Sequence, residues 1–200
     1  FLQSHSKMAL YDISYSTIFN REAHDHRAVL FGTTPLAIAE SLLAFSENVT
    51  EQVEVQTGIA LTTPSGPAFI YSGNGSQWAG MGKRLLKESP LFRATIHEID
   101  DLFSHYADYS LAEELAGNYG ENRYELTELA QPALFALQVG ITRMLAQRGI
   151  IPVAVAGHSV GEVAAAWACG ALSLADAVAV IYHRSHAQGK TKGKGQMTAV

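Results

Sequence analysis

The sequence predicts an α/β fold, a parallel sheet with helices on both faces, preceded by a smaller α+β unit. Three observations carry that expectation. Strand-like and helix-like segments alternate after residue 66; the run PVAVAG at 152–157 has the unbroken apolarity of a strand buried in a parallel sheet; and TTPSGP at 62–67 separates two stretches of different texture. The expected division is therefore residues 1–66 and 67–200.

In the first unit, AVLFG from Ala28 to Gly32 reads as a strand. Pro35, at a first helical position, opens LAIAESLLAF, which puts Leu36, Ala39, Leu42 and Leu43 on one face. VEV at 53–55 is a further short strand. In the second unit AFIYSG reads as a strand, and FRATIHEIDDLF as a helix in which Phe92, Ile96, Ile99 and Phe103 keep the helical period. Gln131 and Pro132 open a long helix with Leu134, Leu137, Ile141, Met144 and Leu145 on one stripe, and Gly149 ends it. After the PVAVAG strand, VGEVAAAWACG is helical to Gly170. Ser173 with Asp176 forms a capping box for the last helix, LADAVAVIYHRSHA.

Composition narrows the function classes. With 48% hydrophobic and 16% charged residues the chain falls in the globular class, and a net charge of -5 offers no basic footprint for nucleic acid or an anionic membrane. The single cysteine, Cys169, cannot form an internal disulfide or a structural zinc site by itself, which fits a reducing cytoplasm. No apolar run approaches the ~18 residues of a spanning helix, and the first residues lack the regions of a signal peptide. The absence of an initiator Met, and an ending at MTAV on what reads as a strand, suggest a piece of a longer polypeptide.

Gly157, His158, Ser159, Val160 and Gly161 form G-x-S-x-G where the PVAVA strand meets the VAAAW helix. A serine on so sharp a turn projects its hydroxyl from the sheet edge, while the flanking glycines avoid Cβ clashes. The N–H of Val160, at the helix start, points where an oxyanion would develop. Ser159 is thus the candidate nucleophile. His158 sits beside it in sequence only, since neighbours on a tight turn diverge; it reads as a packing or orienting residue.

GHSVGE at 157–162 resembles the active-site motif of the malonyl-type acyltransferases of polyketide and fatty acid synthases. YSGNGSQWAGMG at 71–82 resembles their amino-terminal F-x-G-Q-G-x-Q loop. Arg184 stands 25 residues beyond Ser159 (184 − 159), where that family has an arginine for the free carboxylate of its acyl group. In LAQPALFALQ, Gln131 matches the family's active-site glutamine. YDISYSTIFNREAHDHRAVLFG, within residues 1–66, resembles the linker joining a ketosynthase to an acyltransferase. The whole resembles an acyltransferase domain of a type I polyketide synthase with that linker in front, lacking its carboxyl-terminal part.

The resemblance implies a fold and a mechanism. Residues 67–200 would hold the large subdomain, and GQMTAV the first strand of a truncated ferredoxin-like subdomain. Ser159 would carry the acyl group, with the N–H groups of Asn74 and Val160 as oxyanion hole; Asn74 replaces the usual glutamine, so only the backbone role carries over. Arg184 and Gln131 would bind the substrate. Arginine suits the task because its guanidinium grips a carboxylate through two parallel hydrogen bonds. Malonyl-CoA would be the donor and the phosphopantetheine thiol of an acyl carrier protein the acceptor, with no metal or tightly bound cofactor. An adjacent ketosynthase would be a neighbour. Val160 resembles malonyl-selective more than methylmalonyl-selective members. The general-base histidine would lie beyond residue 200, leaving the 200 residues alone nearly inactive.

Other readings compete with this one. A serine hydrolase or thioesterase of the α/β-hydrolase kind would share the elbow, and a non-catalytic docking piece would need none of it. Gly73-Asn74-Gly75 hints at a dinucleotide loop, but Trp78 stands where the third glycine belongs. Gly189-Lys190-Thr191 echoes a P-loop whose first glycine would fall on Arg184. His24 with His26, and His183 with His186, have metal-like spacings without accompanying Cys or carboxylate sets.

Overall fold

The computed structural model describes residues 2, 3, 5, 7–49, 54–60, 66–119 and 123–195. It divides into two compact units, Phe1–Pro64 and Ser65–Val200. The expected strand at 195–200 lies outside the described residues, apart from Gly195.

The first unit contains α1 (Leu10–Phe19), β1 (His26–Leu30), α2 (Pro35–Ser46) and β2 (Val55–Ile59). The strands pair antiparallel, with His26 opposite Ile59 and Leu30 opposite Val55. β1 begins two residues before the expected start. β2 runs on from Val55 instead of ending there, and Val53 is not among the described residues; its Gln56, Thr57 and Gly58 are exposed, so no apolar alternation marked it. Pro35 opens α2 as expected, after Thr34, whose hydroxyl accepts from the Ala37 N–H at 3.1 Å. The expected apolar face of α2 is mostly open: Ala39 is buried, while Leu36, Leu42 and Leu43 are exposed. Helix α1, which the sequence pattern did not suggest, buries no residue at all.

In the second unit, β3 (Ala68–Tyr71) pairs parallel with β4 (Ala154–Gly157), Ala68 opposite Ala154 and Tyr71 opposite Gly157. Among the described residues six α-helices accompany the pair: α3 (Lys83–Glu88), α4 (Pro90–Phe103), α5 (Leu111–Ala116), α6 (Thr127–Gln147), α7 (Gly161–Ala168) and α8 (Leu174–Gly189). Phe69, Tyr71 and Val155 turn into the helical core, whereas Ala68, Ile70, Ala154 and Ala156 are exposed. Among the described residues, then, helices cover one face of the pair, and the second face expected to be covered is open.

The core is helical at its centre. Phe92, Ile96, Ile99 and Phe103, the stripe expected on α4, are wholly buried, and Ser89 caps that helix by accepting from the Phe92 N–H at 3.2 Å. Ser173 caps α8 likewise, accepting from the Asp176 N–H at 3.1 Å and donating to the Asp176 carboxylate at 2.6 Å.

Helix α6 departs from expectation at its start. It begins at Thr127, so Gln131 and Pro132 stand inside it and do not open it. An internal proline removes the N–H that would bond the carbonyl four residues back, here that of Glu128. The Tyr109 hydroxyl donates to this carbonyl at 2.8 Å and takes the missing group's place. The expected stripe is also displaced: Leu134 and Leu137 are buried, but Ile141 is exposed, and the buried run extends back to Leu129. With 21 residues α6 is long and apolar enough to cross a membrane by length and composition, yet in this fold most of it is core.

Candidate active site

The chain leaves β4 at Gly157, turns through His158 and Ser159, and enters α7 at Gly161. Ser159 has φ +54°, the left-handed region that non-glycine residues enter at a cost of about 1–3 kcal/mol. Hydrogen bonds hold the turn there: the His158 N–H donates to the Tyr71 carbonyl and the Gly161 N–H to the His158 carbonyl, both at 2.9 Å. Both glycines are obligatory by contact. A Cβ on Gly161 would stand 2.2 Å from the Tyr71 carbonyl oxygen of β3, and one on Gly157 would stand 2.4 Å from the Glu162 nitrogen. Helix and strand can approach this closely only without side chains at those positions.

The loop after β3 comes to the same end of the strands. Gly73 is buried, and a Cβ there would stand 2.5 Å from Nδ1 of His158. The His158 ring therefore packs on the loop, in keeping with an orienting part. Gln138 of α6 donates to the Ser72 carbonyl at 2.9 Å, and Ser76 Oγ donates to the Gly73 carbonyl at 2.9 Å. These bonds fix the loop that carries Asn74.

Four of the five residues singled out from the sequence meet around one cleft of about 700 Å3, lined in part by Asn74, Gln131 and Ser159. Arg184 of α8 donates through one terminal nitrogen to Ser159 Oγ at 3.0 Å and through the other to Gln131 Oε1. Gln131 is 2% exposed. The fifth, Val160, has its side chain wholly within the core, which leaves only its backbone for a part in the cleft.

Residues that sequence reasoning missed share the cleft: Glu125, Thr127, Gln188, Lys192 and Lys194. Gln188 stands four residues after Arg184 on α8, so helical spacing alone could have found it. Its Oε1 accepts from Gln131 Nε2 at 2.6 Å and from Arg184 at 3.3 Å.

Among the described residues, no histidine lines the cleft. His183 and His186 pack instead against aromatic rings, His183 edge-on to Tyr106 and His186 tilted over Tyr182. The groups with displaced pKa values also lie elsewhere. Burial pushes the Tyr124 hydroxyl up to about 12 and raises Glu114, whose carboxylate stands 3.0 Å from Arg123.

The arrangement joins a hydroxyl on a strained turn to a guanidinium whose own orientation is set by a buried amide. Such a cation favours a substrate that carries a carboxylate close to the group being attacked.

The family described as the acyl transferase domain matches residues 68–200. The polyketide synthase GfsB of Streptomyces halstedii is 38% identical over 191 residues, covering 96% of this chain and 3% of that protein. The acyltransferase domain from module 8 of the salinomycin polyketide synthase superposes with a TM-score of 0.70 at 32% identity, over 95% of this chain and 45% of that one. The malonyl-CoA:ACP transacylase of Synechocystis sp. PCC 6803 gives a TM-score of 0.56 at 27% identity, over 64% of this chain and 42% of that one. The chain thus spans a small part of the curated relatives and under half of these solved structures.

Proposed function

Because the chain belongs to the acyl transferase domain family, in the form carried by polyketide synthases, we propose that Ser159 takes up a malonyl-type acyl group from coenzyme A and passes it to a carrier thiol. The observation that carries this reading is the direct contact of Arg184 with both Ser159 and buried Gln131. A cation at the nucleophile serves an acyl group with a distal carboxylate and has no use for a plain acyl chain. This contact favours the reading over a general serine hydrolase or thioesterase.

Two half-reactions follow. Ser159 Oγ bonds to the thioester carbon, the carbon–sulfur bond breaks, and coenzyme A leaves as its thiol with the proton given up by the serine. The backbone N–H groups of Val160 and Asn74 hold the oxyanion, and Arg184 holds the carboxylate. The phosphopantetheine thiol of an acyl carrier protein then attacks the ester and Ser159 regains its proton. The resemblance assigns both proton transfers to a histidine outside these 200 residues. No resident metal or organic cofactor enters the scheme.

Likeness to the Synechocystis malonyl-CoA:ACP transacylase supports malonyl-CoA as donor and a carrier protein as acceptor. Residues 1–66 serve in this reading as the ketosynthase-to-acyltransferase linker, placing the chain beside a ketosynthase in a cytoplasmic synthase.

The test is incubation of the full-length polypeptide with malonyl-CoA, followed by peptide mass mapping. A malonyl increment on the Ser159 peptide, absent from Ser159→Ala, is expected. An equal adduct in the alanine variant would move the nucleophile elsewhere.

A further inference from the structure

Arg184 dictates the polarity of two amides. A guanidinium only donates, so the atom of Gln131 that meets it must be the oxygen. This turns Gln131 Nε2 toward Gln188, and the atom of Gln188 that meets it must again be oxygen. The same Gln188 oxygen accepts from Arg184, which closes a ring of three side chains. Within that ring Gln131 is the buried member, at 2% exposure, and Gln188 supplies the acceptor for its Nε2. Gln188 itself is exposed to the cleft, one helical turn beyond Arg184 on α8.

We infer that Gln188 is a positioning residue for carboxylate recognition: it holds the Gln131 amide in the one orientation that presents oxygen to Arg184, and so fixes the guanidinium beside Ser159. Without it, the buried Gln131 Nε2 is left with no acceptor, and the amide keeps only one of the two bonds that hold its orientation. A flipped amide would aim N–H groups at a guanidinium, and the cation would leave its place. The consequence falls on acyl groups that bear a carboxylate, because only they use Arg184. This inference rests on the proposed reading of the cleft.

The experiment compares malonyl and acetyl loading from their coenzyme A thioesters in the full-length polypeptide, with kcat and KM separated. Gln188→Met keeps nearly the same volume and removes the acceptor. It is expected to lower kcat/KM for malonyl about tenfold, the order set by a buried donor losing its acceptor. The loss should appear mainly in KM, with acetyl loading changed less than about twofold and thermal unfolding unaltered, since an exposed side chain contributes little to the core. Gln131→Met should have a similar effect, and Gln188→Met added to it should cost no more than about twofold further, because the two act as a unit. If the effects multiply, Gln188 does not act through Gln131, and the inference is overturned. If Gln188→Met leaves the malonyl-to-acetyl ratio unchanged while Arg184→Ala collapses it, the inference fails and the reading of Arg184 stands. If Arg184→Ala leaves the ratio unchanged as well, the reading of the cleft falls and takes the inference with it.

Discussion

At the scale of single residues, the cleft follows from a few side chains that cannot be exchanged for near equivalents. Arg184 is the clearest case: its two terminal nitrogens reach different acceptors, Ser159 and Gln131. Arg184→Ala should slow malonyl loading by a factor equivalent to about 2–5 kcal/mol, as when one partner of a close charge pair is truncated. Acetyl loading should change far less, and Arg184→Lys should restore only part of the loss, since an ammonium cannot span two acceptors in one plane. The measured quantity is the ratio of the two loading rates in the three forms; equal ratios would remove the carboxylate-reading role. Ser159 stood out in the sequence through G-x-S-x-G at a strand-to-helix junction, whereas Arg184 was singled out only by the family resemblance, which implies an arginine at that distance beyond the serine. Gln188 could have been reached by helical spacing from Arg184, but its partner could not. Nothing in an isolated glutamine signals that its oxygen meets a buried amide from another helix.

At the scale of elements, burial decided what could be read. Helix α4 alternates apolar and polar residues strongly, and all four stripe residues are buried as expected. Helices α3 and α5 have six residues each, too short for a period to emerge, and β2 is exposed along most of its length. The start of α6 was misplaced because Pro132 reads as a first helical residue when neighbours in space are unknown. The Tyr109 hydroxyl at the Glu128 carbonyl makes the internal proline tolerable. Tyr109→Phe should therefore destabilise the fold by about 1 kcal/mol in urea unfolding, the order of a part-buried hydrogen bond lost. Pro132→Ala supplies a backbone N–H for the same carbonyl, so Tyr109→Phe should cost less in that background; an equal cost in both would separate the tyrosine from the proline. A second link joins α4 to α6, where Arg143 forms a two-point ion pair with Glu98. The hydrogen bond from Arg143 is the main cause that lowers the Glu98 pKa. A lowered carboxylate pKa gives stability that is present above the unfolded value and lost as pH falls through the folded one. The pair is half exposed, so Glu98→Gln should cost less than about 1 kcal/mol near neutrality and nothing once the folded carboxyl is protonated. A difference that persisted in acid would contradict this.

At the scale of the whole molecule, the α/β class was legible because a parallel pair needs a crossover, and the described residues between β3 and β4 hold four α-helices. Coverage of both faces was not legible. PVAVAG reads the same whether one face or two are buried, and among the described residues Ile70 is 73% exposed, with Ala68, Ala154 and Ala156 open on the same strands. Val153 and Ile151, just before β4, are also exposed, at 64% and 65%. An apolar sheet face of this kind is unusual on a solitary globular unit and marks a surface that associates or binds hydrophobic probes. These 200 residues, expressed alone, should bind a hydrophobic dye and self-associate with increasing concentration. Ile70→Thr keeps a β-branched side chain suited to a strand while removing apolar surface. It should reduce dye binding and shift the sedimentation profile toward monomer, leaving the parallel pair intact by circular dichroism. Tyr71, the next residue, points the opposite way into the core and donates or accepts at Thr142 at 2.9 Å, so Tyr71→Phe serves as the inward-facing control. If Ile70→Thr left association unchanged, the exposed face would not be its source, and the exposed α2 leucines of the first unit would become the surface to test.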